Sequence, residues 1–119
     1  SLAGPIPEHF QLKETPSSDY LQRTEWNARD SDGTVIFTLA AHATGGSLKT
    51  IEFAKQHGKP WLHLARAEPG LGSFAERLRA FIEEYRIEKL NVAGSRESKE
   101  PGIHDWTREV LEQALFPQA

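Results

Sequence analysis

A chain of 119 residues, 38% hydrophobic and 26% charged, has the size and polarity of one globular domain. Its net charge of -3, with no basic patch, removes the electrostatic support that nucleic-acid binding needs, and no apolar run approaches the ~18 residues of a membrane span. The absence of cysteine excludes disulfides and thiolate metal sites, and with no signal-peptide pattern at the start a cytoplasmic location is expected. Methionine is absent as well, position 1 included, which fits an internal piece of a longer product or a processed one.

Residues 1–17 read as irregular, since Pro5, Pro7 and Pro16 deny them regular hydrogen bonding, with Ile6, Phe10 and Leu12 available to pin the segment to the domain surface. Ser17 or Ser18 caps a helix running to about Arg29, with Asp19 in its first turn. Tyr20, Leu21, Thr24 and Ala28 lie near one face of it, and Arg23, Trp26, Asn27 and Asp30 spread over the others. After a turn at residues 30–33, Gly33 to Leu39 carries Val35, Ile36, Phe37 and Leu39, a short run suited to a strand buried on both faces. Ala40 to Thr44 is a loop, and Thr44-Gly45-Gly46-Ser47 a turn. A helix follows with Leu48, Ile51, Glu52, Phe53, Ala54 and Lys55 at helical spacing, stopped by Gly58 with Pro60 beyond it.

Trp61 to Leu64 is a second strand, and Ala65 to Gly72 a loop containing Pro69 and Gly70. Ser73 caps a third helix with Phe74, Leu78, Phe81 and Ile82 on one stripe, and Glu76, Arg77, Arg79, Glu83 and Glu84 elsewhere. Leu90 to Ala93 is the third strand, Gly94 to Gly102 a polar loop, and a last helix from about Ile103 to Leu115 carries Ile103, Trp106, Val110, Leu111 and Leu115. Alternating helices and strands predict an α/β three-layer domain with a parallel sheet. Three strands make a thin sheet, since a doubly wound nucleotide-binding domain has about five or six. Either the domain is small, or strands that belong with it are missing or supplied by another chain, and an open sheet edge predicts a homo-oligomer.

Two loops at carboxyl strand ends share a character. In the first, Gly45 and Gly46 let a ligand approach the backbone, and the N–H groups of the following helix turn face any anion placed there. In the second, Gly94, Ser95 and Ser98 accompany Arg96, whose guanidinium suits phosphate or carboxylate. Both would open on one crevice if their strands are neighbours. The alternative is that Gly45-Gly46 makes a tight turn, Ser47 caps a helix, and Arg96 and Lys99 are solvated.

No pair among His9, His42, His57, His63 and His104 has metal-ligand spacing. His42 is placed to touch a ligand, and His63 to face the core or the sheet surface with its ring hydrogen-bonded. Asp30, Asp32, Glu97 and Glu100 form no acid–base pair and read as solvated loop charges. Arg23, Thr24 and Asn27 present either a polar cluster or a solvent-facing stripe.

The segments Arg23-Thr24-Glu25-Trp26-Asn27, residues 30–36, Thr44-Gly45-Gly46-Ser47-Leu48-Lys49-Thr50 and residues 90–103 together resemble the circularly permuted YpsA-like branch of the SLOG superfamily, labelled as a molybdenum carrier or molybdenum cofactor carrier family. The resemblance runs from about Gly4 to Leu115. It implies a Rossmann-like fold related to the lonely-guy and lysine-decarboxylase-like proteins, and binding of a nucleotide, molybdopterin or other phosphate-bearing small molecule. It places Thr44, Gly45, Gly46, Ser47 and Thr50 on one side of the ligand site and Gly94, Ser95, Arg96 and Ser98 on another, with no catalytic or metal residue assigned. Arg23, Thr24 and Asn27 match a polar family motif. Family members carry a strand and an S-G-G-Q-T-G-A-D type segment ahead of the stretch matched by Gly4-Pro5-Ile6-Pro7, so residues 1–119 read as one N-terminally truncated domain. The related lonely-guy phosphoribohydrolases use P-G-G-x-G-T-x-x-E. Here Lys49 and Thr50 fill the end of that motif and Glu52 comes later, which favours binding over that hydrolysis. A ligand-free oligomeric interaction module is the third reading.

Overall fold

A computed structural model describes residues 18–70 and 72–116. The irregular segment and the Ser17 cap expected ahead of the first helix lie outside the described residues. In chain order the elements are α1 (Ser18–Asp30), β1 (Gly33–Thr38), α2 (Gly45–Gln56), β2 (Trp61–Ala65), α3 (Phe74–Tyr85), β3 (Leu90–Gly94) and α4 (Ile103–Leu115). The strands form one parallel sheet in the order β2-β1-β3. The fold is thus Rossmann-like α/β, as expected.

Helices cover both faces of the sheet, so β1, in the middle, is buried at all six positions. Successive side chains of a strand point to opposite faces. Val35 and Phe37 join Leu64 on the face covered by α3 and α4, where Leu78, Phe81, Ile103, Val110 and Leu111 complete the main core. Trp106 stands edge-on to both Phe37 and Phe74, with ring centroids 5.6 and 5.1 Å apart. The opposite face carries Thr34, Ile36 and Thr38 beneath α2, with α1 packed on α2 and tied to it by His57 Nε2 and Glu25 Oε2 at 2.9 Å.

Several boundaries and faces differ from expectation. Leu39 falls beyond β1, because pairing with β2 ends at Thr38 opposite Ala65. Leu48 is 44% exposed and Leu21 40% exposed. Ile51, Phe53 and Ala54 of α2 are buried, as their spacing leads one to expect, and they are joined by the polar Ser47 and Thr50. Ser73 does cap α3, and Glu76 closes the reciprocal bond: Ser73 Oγ accepts from Glu76 N at 3.0 Å, and Glu76 Oε1 from Ser73 N at 2.9 Å. Asp32, expected to be merely solvated, accepts from the backbone N–H of both Glu88 and Lys89 through Oδ2, fastening the start of β1 to that of β3.

At the far end of the same pair of strands, Gly94 lies opposite Phe37. A Cβ there would stand 2.5 Å from the Phe37 carbonyl oxygen, a backbone atom that cannot swing aside. Gly94→Ala is therefore expected to lower stability by ~1–3 kcal/mol in urea unfolding. Unchanged stability would show that β1 and β3 separate more easily than this register implies.

Candidate functional site

Since all three strands are parallel, their carboxyl ends share one edge, and each leads there into a loop and then a helix. The loop of residues 39–44 runs into α2, β2 is followed by α3, and the loop of residues 95–102 runs into α4. The two glycine-containing loops singled out from the sequence are thus neighbours, because β1 and β3 are paired.

The first of these loops is fastened on several sides. The Glu100 carboxylate accepts from Leu39 N and Ala40 N, each at 2.8 Å, and also from the Ser95 hydroxyl. Thr38 Oγ1 donates to Ala40 O at 2.7 Å and lies 2.7 Å from His63 Nε2. A hydroxyl has one proton to give, so His63 Nε2 must carry the proton of that second bond. Ala40 is thereby held at both its N–H and its carbonyl. The residues just after β2 join in, since Arg66 N donates to Thr38 O and Ala67 N to Leu39 O.

α2 begins earlier than the sequence suggests. Thr44, not Ser47, is its N-cap, and Gly45 at φ +55 turns the chain directly into the helix. The Thr44 side chain makes no capping bond; its hydroxyl instead accepts from Lys99 Nζ at 2.8 Å. Thr44 O takes the N–H of Ser47 and Leu48, and among the described residues nothing accepts from the N–H of Gly45 or Gly46. A Cβ on Gly45 would lie 3.6 Å from Lys99 Nζ, and one on Gly46 3.2 Å from the Tyr20 hydroxyl. The start of α2 thus carries two amides without an acceptor, with an ammonium beside Gly45 and a phenol hydroxyl beside Gly46, groups suited to an anion.

From β3, Ser95 N donates to Phe37 O, and Arg96 O accepts from Lys99 N and Glu100 N. Arg96 is half-buried, and among the described residues its guanidinium has no hydrogen bond or ion pair. Glu97 accepts from Gly102 N and His104 N, satisfying donors at the start of α4. Glu97, Glu100 and Lys99 thus have structural partners where the sequence suggested solvated charges. Their partners lie up to 61 residues away along the chain, where no local pattern reveals them.

Of the expected site residues, Thr44, Gly45, Gly46, Gly94, Ser95 and Arg96 gather at this edge. Ser98 is exposed in the turn beside them. Ser47 and Thr50 are buried, and the Thr50 hydroxyl donates to Gly46 O at 2.9 Å, so these two shape the start of α2. Arg23 and Asn27 are exposed on α1, and Thr24 donates to Tyr20 O; among the described residues no hydrogen bond joins the three to either loop. His63, with its ring hydrogen-bonded as expected, is held below its usual pKa by burial and then by the charges of His42 and Arg77. Among the described residues, no three His, Asp or Glu side chains gather as a metal site.

Three comparisons bear on this edge. A sequence profile for the circularly permutated YpsA SLOG family matches residues 2–115. A crystal structure from Syntrophus aciditrophicus SB, of a protein named "Putative molybdenum carrier protein", superposes with a TM-score of 0.77 at 40% identity, covering 94% of this chain and 70% of that one. A search of the curated proteins returns no match.

Burial pushes the Glu100 carboxyl up, but the Ser95 hydroxyl and the Leu39 and Ala40 N–H groups outweigh it and hold the group below the usual carboxylate range. A depressed folded pKa gives stability that is complete above the unfolded value of about 4.3 and is lost as pH falls through the folded one. Glu100→Gln is expected to cost ~1–3 kcal/mol in urea unfolding at pH 7, with the gap to wild type closing below about pH 4. A gap that stays constant from pH 7 to pH 3 would contradict the clamp.

Proposed function

The chain belongs to the circularly permuted YpsA SLOG family, and on that premise we propose that it is a carrier-type protein binding a phosphate-bearing small molecule, nucleotide-like or a molybdenum cofactor, between the β1–α2 and β3–α4 loops. The observation that carries this reading is the link from Lys99 Nζ to Thr44 Oγ1 beside the open amides of Gly45 and Gly46. It brings a cation from one loop to the helix N-terminus supplied by the other. The ligand's phosphate would take the two amides, with the Lys99 and Arg96 charges compensating its own. Ser47 and Thr50 would support the site from within α2. Molybdenum enters as cargo, following the name of the Syntrophus aciditrophicus protein.

A hydrolase reading has less support. Glu52, the carboxylate that follows the glycine motif, is exposed and 3.7 Å from Lys49 on the same helix.

Self-association is part of the same proposal. Among the described residues β2 and β3 each leave one edge unpaired, and Trp61 of β2 is 37% exposed. Light scattering from micromolar to millimolar protein is expected to give more than the monomer mass; a monomer throughout would refute that part.

Calorimetric titration with nucleoside monophosphates, a pterin phosphate and molybdate tests the site itself. One class is expected to bind, and Arg96→Ala and Gly46→Val each to weaken it tenfold or more, since a charge-assisted hydrogen bond is worth ~1.5–3 kcal/mol. Arg96→Ala should leave unfolding nearly unchanged. No binding of any probe, or equal binding by both variants, would overturn the reading.

A further inference from the structure

The lateral edge of β2 has a definite chemistry. Thr34 N donates to Pro60 O and Arg66 N to Thr38 O, which with the register sets the phase of the β1–β2 ladder: residues 60, 62, 64 and 66 turn their backbone groups toward β1. Trp61, His63 and Ala65 therefore turn theirs outward. The Ala65 carbonyl is used by Glu68 N at 3.0 Å. The N–H groups of all three residues and the carbonyls of Trp61 and His63 have no partner among the described residues. Backbone donors and acceptors repeating at this spacing are matched by another strand.

Nothing in residues 61–65 keeps such a strand away. They carry no lysine, carboxylate, proline or bulge, the devices that protect sheet edges. The His63 ring leans inward over β1, with Nε2 2.7 Å from Thr38 Oγ1, and so clears the edge. Burial holds this ring below its usual pKa, which leaves it uncharged at pH 7. Trp61 is the one strand residue among the large hydrophobic side chains described as exposed.

We infer that β2 pairs antiparallel with β2 of a second copy, about a two-fold axis at His63. The pairing rests on the self-association proposed above and fixes its surface. An isologous pair closes after two chains, whereas β2 added to the β3 edge of another copy would continue into a filament. In this register the His63 N–H donates to the carbonyl of the partner's His63, and the Ala65 N–H to that of the partner's Trp61, each bond reciprocated. The largest side chain of the edge then lies opposite the smallest, Trp61 against the partner's Ala65. The charges at the two ends of β2 match as well. Lys55 Nζ stands 5.2 Å from the centroid of the Trp61 ring, and the turn at Glu68 is bonded to Ala65. Lys55 of each copy is thereby brought toward the partner's Glu68. Neither side chain has a hydrogen bond or ion pair of its own among the described residues.

Amide hydrogen exchange reads this ladder residue by residue. At concentrations where wild type is dimeric, the His63 and Ala65 amides are expected to be protected along with those of Leu62 and Leu64, which bond to β1. Trp61→Glu is expected to give a folded monomer in which Leu62 and Leu64 stay protected and His63 and Ala65 exchange about tenfold faster or more. In sedimentation, Lys55→Glu and Glu68→Lys are each expected to weaken the dimer about tenfold, and the double variant to recover wild-type affinity, since the pair recurs on both sides of the axis. A dimer whose His63 and Ala65 amides exchange freely overturns this surface while leaving self-association in place, and protection appearing at Leu90 and Val92 instead would put the contact on β3. A double variant no better than the single ones also overturns it. A monomer at every concentration removes the surface and self-association together.

Discussion

The carboxyl edge of the sheet depends on one carboxylate. Beyond Thr38 the central strand has run out of ladder partners on the β3 side, and Glu100 supplies them by accepting from Leu39 N and Ala40 N at once. Because Glu100 lies on the loop that leaves β3, the same contact closes the gap between the two glycine-containing loops. Further contacts at the edge accompany it: the Thr38 hydroxyl, itself bonded to His63, holds the carbonyl of Ala40, and Lys99 reaches Thr44 beside Gly45 at the entry to α2. The interaction is ionic on one side and backbone on the other, so it is stronger than a neutral turn bond and does not depend on a second side chain staying in place.

This division of labour extends through the chain. The net charge is -3, yet several acidic side chains are engaged with backbone N–H groups: Asp32 with Glu88 and Lys89, Glu76 with Ser73, Glu97 with Gly102 and His104, and Glu100 with Leu39 and Ala40. All four carboxyls are accordingly held below their usual range. Lys99, Arg96 and Arg77 are left without a carboxylate partner among the described residues, and they lie in or beside the three loops of one edge. An overall negative protein can in this way leave cationic groups along one edge of its sheet.

The sequence made the sheet legible because β1 is centred on the apolar run Val35-Ile36-Phe37, which is what burial beneath two helix layers demands, and Ser73 marked the start of α3 as its cap. Gly45 misled: at φ +55 it starts a helix at once, so Ser47 became an inner residue, and of the expected apolar positions Leu48 is exposed while Ile51, Phe53 and Ala54 are buried. The ionic contacts were illegible for a different reason. Glu100 reaches residues 60 and 61 positions away, and no spacing rule connects them.

The claim that the two glycine-containing loops form one anion site is tested most directly by mapping backbone amide shifts in the labelled protein as a phosphate-bearing ligand or molybdate is added. The account predicts that the Gly45, Gly46, Leu39 and Ala40 amides and the Arg96 side chain move together along a single saturation curve. Shifts confined to one loop, or saturation of the two loops at different concentrations, would contradict it.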